Sequence, residues 1–187
     1  VADYVIPSPA GTSWGLGGTC INVGCIPKKL FHFASQLGES RDDMEGVGWG
    51  VDRKTAHDWP KMVEGVQKYI RQLRWNAKLV LAQIQVKYYN MLAKFVDSHT
   101  IELLDPKKNK KETVTAKNIL IPVGGRPTYL PNNPKELTIS SDDIFYMKQN
   151  PGKTLVVGAS YIALECAGFL TGLGNDVTVM VRSVLLR

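Results

Sequence analysis

Hydrophobic positions along this chain change their spacing three times, and each spacing marks a different kind of element. Leu30, Phe31, Ala34 and Leu37 recur at helical intervals behind Pro27, whose missing N–H suits a first helical turn. This pattern predicts a helix starting just after Cys25. Met62, Val66, Ile70, Leu73, Ala77, Leu81 and Ile84 then repeat every three to four residues, predicting a long amphipathic helix from about His57 to about Ile84. Tyr69 and Trp75 on it are expected in core or interface packing. The period shortens after that helix, and Val86 to Val96, Thr100 to Leu104 and Thr113 to Ile121 read as three strands of a small antiparallel meander. From Gly152 the grammar becomes strand (Lys153 to Val157), glycine turn, helix, strand (Asp176 to Val181), which is a β-α-β unit.

With 187 residues, 44% of them hydrophobic, the chain can bury the core of one domain or slightly more. No apolar run approaches the roughly 20 residues needed to span a bilayer, so no membrane role is expected. The net charge is +6, but Lys107, Lys108, Lys110 and Lys111 crowd one Pro- and Asn-containing segment that reads as a solvated turn between strands. No broader basic face or motif accompanies it, which argues against a nucleic-acid partner. No targeting segment is recognisable, and a cytoplasmic setting is the default expectation, with a mitochondrial form open.

The chemistry concentrates between Gly17 and Lys29, where four residues separate Cys20 from Cys25. A helix starting after Cys25 would put that sulfur at the positive end of the helix dipole, with Lys28 and Lys29 adding positive charge. Both effects favour the thiolate that exchange chemistry requires. Three cysteines are too few and too odd in number for a secreted disulfide scaffold. A zinc site built on Cys20, Cys25 and His32 would lack a fourth ligand. The redox-active pair is the preferred reading, with a structural disulfide and a metal site as its alternatives. Cys166 sits among Leu164, Ala167 and Phe169 and reads as a small core residue. His32, His57 and His99 read as surface or capping residues.

In the β-α-β unit, Gly158-Ala159-Ser160-Tyr161-Ile162-Ala163 stands where a dinucleotide-binding turn would hold a pyrophosphate, with Ser160 and Ala163 in place of the second and third glycines. The second strand leads into Arg182 and Ser183 rather than an acidic residue. Together with Arg187, Arg182 suits the 2′-phosphate of NADPH better than the bare ribose of NADH.

Gly15 to Cys20, Cys25 to Lys29 and Gly158 to Gly168 together resemble the pyridine nucleotide-disulfide oxidoreductases, and within them the large, glutathione-reductase-like thioredoxin reductases, including forms fused to a glutaredoxin domain. Gly11 to Gly15, Ser140 to Asp143 and Val179 to Arg187 add to that likeness. The resemblance implies an α/β fold: a partial FAD-binding Rossmann-like domain with a β-meander over residues 1–150, then the first β-α-β of an NADPH-binding domain over residues 151–187. It implies FAD against Gly18 and Thr19, Cys25 as the sulfur nearest the flavin, and Cys20 as the outer, interchange thiol. Lys28 would pair with Glu165, and Tyr161 would cover the flavin until NADPH displaces it. Gly124, in Ile121 to Pro127, would make a second FAD contact, although Pro122 and Val123 replace the family's usual Ala-Thr. Gly158, Ser160, Tyr161, Ile162, Arg182, Ser183 and Arg187 would line the NADPH site.

Hydride would pass from NADPH to FAD, and electrons from FAD to the Cys20–Cys25 disulfide and on to thioredoxin, in a homodimer. Glutathione or another small disulfide is the alternative acceptor, and a flavin-free thiol switch is the non-enzymatic alternative. The family's first glycine-rich turn and its dimer-interface domain do not occur in this sequence. The resemblance therefore implies an internal fragment that cannot turn over alone.

Overall fold

The computed structural model describes residues 1–52, 56–130 and 135–184. Arg187 lies outside the described residues. Two helices meet at Gly24: α1 (Gly18–Val23) and α2 (Cys25–Gly46). The short α1 is a turn more than the sequence pattern predicts. Pro27 falls in the first turn of α2, where its missing donor leaves no bond unmade. Pro27, Phe31 and Ser35, one turn apart, are the buried positions of α2.

The long helix α3 runs Trp59–Gln83. Asp58 caps it, its carboxylate accepting from Lys61 N at 3.0 Å, and Pro60 occupies the first turn. Its buried positions, Trp59, Val63, Val66, Gln67 and Ile70, all lie in the first half. Beyond Ile70 the helix carries no buried residue, and of the two expected roles for Tyr69 and Trp75, core or interface packing, the core role is not what is found. Both are exposed, Trp75 to 63%, and so is Ile84.

Strands β1 (Leu92–Phe95), β2 (Thr100–Asp105) and β3 (Lys110–Thr115) form the expected antiparallel meander in sequential order. Its first and third strands differ from the sequence reading. Residues 86–91 stay outside the sheet, although Tyr89 bridges Ala2 in parallel and ties the N-terminal segment down. Strand β3 begins within the lysine cluster, with Lys110 opposite Asp105, and ends at Thr115. The tight turn explains the shift, because Asn109 takes a left-handed φ of 49° and the Asp105 carboxylate accepts from Lys107 N and Lys108 N. Leu120 and Ile121, expected to close that strand, are exposed.

A single 3-10 turn (Lys135–Leu137) precedes the short helix α4 (Ser141–Ile144). Ser140 and Asp143 cap α4 reciprocally. The β-α-β unit then forms as its sequence pattern predicts, with β4 (Thr154–Val157), α5 (Tyr161–Gly172) and β5 (Val177–Met180), the two strands parallel. No helix among the described residues is long and apolar enough to cross a membrane.

The main core joins the two ends of the chain. Phe31 is fully buried and meets Trp59, Phe145 and Phe169 edge-on, with centroids 5.2 to 5.3 Å apart. One ring thus welds α2 to α3, to the segment after α4, and to α5. Contacts between α2 and α5 repeat after seven residues, since Lys28 meets Glu165 and Ser35 meets Gly172. The two helices therefore run side by side in the same sense. A Cβ on Gly172 would fall 2.7 Å from Ser35 Cβ, so the bare backbone there is what permits the approach.

Candidate active site

Gly24 brings the two sulfurs together. A side chain there would press on Thr19 O at 3.0 Å and Cys20 Cα at 3.2 Å, so only glycine lets α2 fold back this closely on α1. The Cα atoms of Cys20 and Cys25 lie 4.6 Å apart and the two residues form a disulfide. Both cysteines are exposed. Cys25 is the first residue of α2, where unpaired N–H groups and the helix dipole favour negative charge. Among the described residues no cluster of three or more His, Cys, Asp or Glu could hold a metal ion.

Asn22, between the cysteines, is a residue that the sequence reading missed. Its side chain is fully buried, and Nδ2 faces the carbonyls of Gly18 at 2.8 Å, Gly15 at 3.3 Å and Leu16 at 3.4 Å. Its Oδ1 accepts from Arg74 Nη1 at 3.4 Å. One carboxamide thereby pins the glycine-rich lead-in under the redox helix and ties both to α3. An asparagine flanked by apolar residues inside a Cys-x4-Cys loop was the available signal.

Lys28 Nζ donates to Glu165 Oε1 at 2.7 Å, joining the first turn of α2 to α5. Their side chains are 28% and 38% exposed, so water screens the pair and its stabilisation is about 1 kcal/mol or less. Its value lies in placing a cation one helical turn from Cys25. Cys166, next to Glu165, packs at the margin of the main core, and burial pushes its thiol up to about 11.

The turn between β4 and α5 depends on Gly158, whose φ of +126° is open only to glycine, and whose N–H donates to Met180 O at 2.9 Å. Ser160 caps α5 without a side-chain hydrogen bond to it, and Ser160, Tyr161 and Ile162 are exposed. Because Val157 pairs with Met180 in a parallel ladder, Arg182 and Ser183 leave β5 at the same sheet edge as this turn, and both are exposed. Gly158, Ser160, Tyr161, Ile162, Arg182 and Ser183, six of the seven residues expected at the nucleotide site, are thus gathered at one edge.

Gly18 and Thr19 are exposed beside Cys20. Gly124 lies in the irregular segment after β3 with φ +66°. Two residues on, Arg126 pairs with Asp142 at 3.1 Å and stacks over Trp14 at 4.8 Å, holding this segment against α4 and the lead-in. Tyr4, Ser8, Val123, Arg126 and Tyr129 line a cavity of about 350 Å³ there.

A disulfide that opens one helix and an uncapped glycine turn that opens another, joined by an ion pair, define a class. The chain belongs to the pyridine nucleotide-disulphide oxidoreductase family, whose pattern it matches over residues 10–187. The family's name carries both chemistries, a pyridine nucleotide and a disulphide. More particularly, the chain is similar to thioredoxin reductase SEP1 of Emiliania huxleyi, with 56% identity over 189 residues covering 100% of this chain. It spans 38% of the length of that relative.

Proposed function

We propose that this chain is the disulfide-bearing part of an NADPH-dependent flavoprotein that reduces thioredoxin. In this reading residues 1–150 belong to the FAD-binding domain and residues 151–187 open the NADPH-binding domain. The observation that carries it is the exposed Cys20–Cys25 disulfide at the start of α2, with Lys28 tied to the helix that follows the glycine turn.

The residues fit both cofactors. A Cβ built on Gly18 or Gly124 meets nothing within 4 Å, which leaves open space for a flat ligand to approach the backbone. At α5, the first-turn N–H groups, which the Ser160 side chain does not cap, suit a pyrophosphate, and Arg182 with Ser183 suits a 2′-phosphate. FAD, when bound, supplies the two electrons that NADPH delivers as hydride.

The chain's own residues do the rest. Two electrons and two protons convert the Cys20–Cys25 disulfide to two thiols. The α2 dipole and the Lys28 ammonium favour the thiolate at Cys25. The Cys20 thiolate attacks the acceptor disulfide and expels one acceptor thiolate, leaving a mixed disulfide. Cys25 then attacks Cys20 Sγ, restoring the original disulfide and releasing the second thiol.

The test is NADPH-dependent thioredoxin reduction by the complete FAD-loaded enzyme, compared with Cys20→Ser and Cys25→Ser. Loss of turnover in both is expected. Turnover that survives either substitution refutes the reading.

A further inference from the structure

A disulfide that serves in turnover must open and then close again with the same partner. While it is closed, the Cys20–Cys25 bond ties α1 to α2. Once it opens, Cys20 rides on a helix of only six residues, too short to hold its shape by its own hydrogen bonds. Gly17 and Gly24 flank that helix, and no side chain caps its start.

Asn22 is the directional contact that survives reduction. Cys20 and Asn22 stand two positions apart, roughly 200° around the helix, so the sulfur faces outward while the carboxamide is fully buried. Nδ2 faces three carbonyls and Oδ1 an arginine donor, which fixes the orientation of the group, because reversing it would set oxygen against oxygen and N–H against guanidinium. The lead-in that Asn22 grips is anchored without the sulfurs. Trp14 lies buried beneath the Arg126 guanidinium, and Arg74 packs against Gly15. Val23, the other buried residue of α1, packs without directional bonds.

We infer that Asn22 is a positioning residue for thiol exchange: its carboxamide holds Cys20 against Cys25 while both are reduced, so that the ring-closing step finds its target. The inference rests on the reductase reading and adds a residue to it. In the mixed disulfide the Cys25 thiolate attacks Cys20 Sγ, expels the acceptor's remaining sulfur as a thiolate and restores the original bond. Holding the reacting atoms in place is what gives such a step its high effective concentration. Without the carboxamide, Cys20 has to be ordered anew at each closure. The first attack on the acceptor, which Cys20 makes alone, needs no such ordering.

Asn22→Asp keeps the shape and the acceptor for Arg74 but removes both N–H donors, Asn22→Ala removes the group, and Arg74→Met frees the carboxamide without removing it. Each complete FAD-loaded enzyme is equilibrated, without NADPH, in mixtures of reduced and oxidised glutathione. After alkylation, mass spectrometry of the peptide carrying both cysteines reads the fraction closed. The ratio of disulfide to dithiol should fall about tenfold in the Asn22 variants, the scale of freeing one residue's backbone, which is about 30 mV toward the oxidising side. Arg74→Met, losing one hydrogen bond, should lower it about threefold. When the reduced enzyme meets one equivalent of an aromatic disulfide, release of the first thiolate should match wild type, and release of the second should slow about tenfold. Gly172→Ala, a destabilising change at the far end of the α2–α5 seam, should move neither quantity, which separates positioning from loss of stability.

Circular dichroism identifies the variants that fold. A ratio within about twofold of wild type in a folded Asn22 variant overturns the inference, as does equal slowing of both thiolate releases. Should neither Asn22 variant fold, an unmoved ratio in Arg74→Met overturns it instead. Because the ratio is read without turnover, an enzyme that reduces no thioredoxin yet shows the tenfold fall would refute the proposed function and leave the role of Asn22 standing.

Discussion

Replacing Gly172 with alanine is expected to force α2 and α5 apart. The new methyl group would lie 2.7 Å from Ser35 Cβ, 2.9 Å from its Oγ and 3.1 Å from Glu39 Oε1. Carbon atoms at rest stand about 3.5–4.0 Å apart, so the helices must separate by on the order of 1 Å along this line. Overpacking of this kind costs about 1–3 kcal/mol. Alanine's better helix propensity offsets less than about 1 kcal/mol of that, because Gly172 is the last residue of α5. A net loss of about 1–2 kcal/mol lowers the urea midpoint by roughly 0.5–1 M for a typical m-value. Tryptophan fluorescence at fixed protein concentration reads it. Ser35→Gly removes the atoms that the methyl strikes, so the double variant should be more stable than the sum of the two single changes by about 1 kcal/mol or more. A Gly172→Ala midpoint at or above wild type, or strict additivity with Ser35→Gly, would refute the account of this helix seam.

Lys28→Met should lower stability by less than about 1 kcal/mol, the ion pair with Glu165 being screened by water, and a loss of several kcal/mol in urea unfolding would refute that reading of the pair. Burial pushes the Asp143 carboxyl up, but hydrogen bonds from Ser8, Ser140 and Thr12 outweigh it and hold the group below its ordinary range. Its stabilisation is therefore present above that range and lost as pH falls through the native value. Asp143→Asn should cost roughly 1–2 kcal/mol near neutrality, with the gap from wild type closing in acid unfolding curves below about pH 4. Asp142, raised by burial against the pull of Arg126, contributes with the opposite sign. Cys166, its thiol pushed up to about 11, should resist alkylation of the oxidised protein near pH 8, where only about one in a thousand such thiols is ionised. Rapid labelling of Cys166 in that state, read by mass spectrometry, would contradict its burial.

Legibility in the sequence followed the reach of each signal. The start of α2, the long α3 and the β4-α5-β5 unit were readable because Pro27, the apolar period and the β-branched runs are local marks. The span of α3 was predicted to within two residues, but its burial was not. Apolar period shows which face a helix would bury, not how far the core beneath it extends, and Trp75 and Ile84 lie beyond that core. Helix α1 was missed because glycines on either side mask a six-residue helix. The end of β3 was missed because Leu120 and Ile121 look like strand residues and nothing local says that the sheet has stopped pairing. The Cys20–Cys25 disulfide and the glycine turn between β4 and α5 were legible from spacing, and the Lys28–Glu165 pair from the family likeness. Asn22 and Arg74 act through each other across 52 residues of chain, and Arg126 through Trp14 across more than twice that distance, which no local pattern spans.

The matched seven-residue steps on α2 and α5 also set where the chain can change length. One residue added or removed between Lys28 and Ser35 would rotate everything beyond it by roughly 100°, swinging Ser35 off the bare backbone of Gly172 or Lys28 away from Glu165. The same holds between Glu165 and Gly172. Insertions belong instead at the hairpin tip around Pro106 to Asn109, where the backbone is exposed and nothing downstream depends on phase.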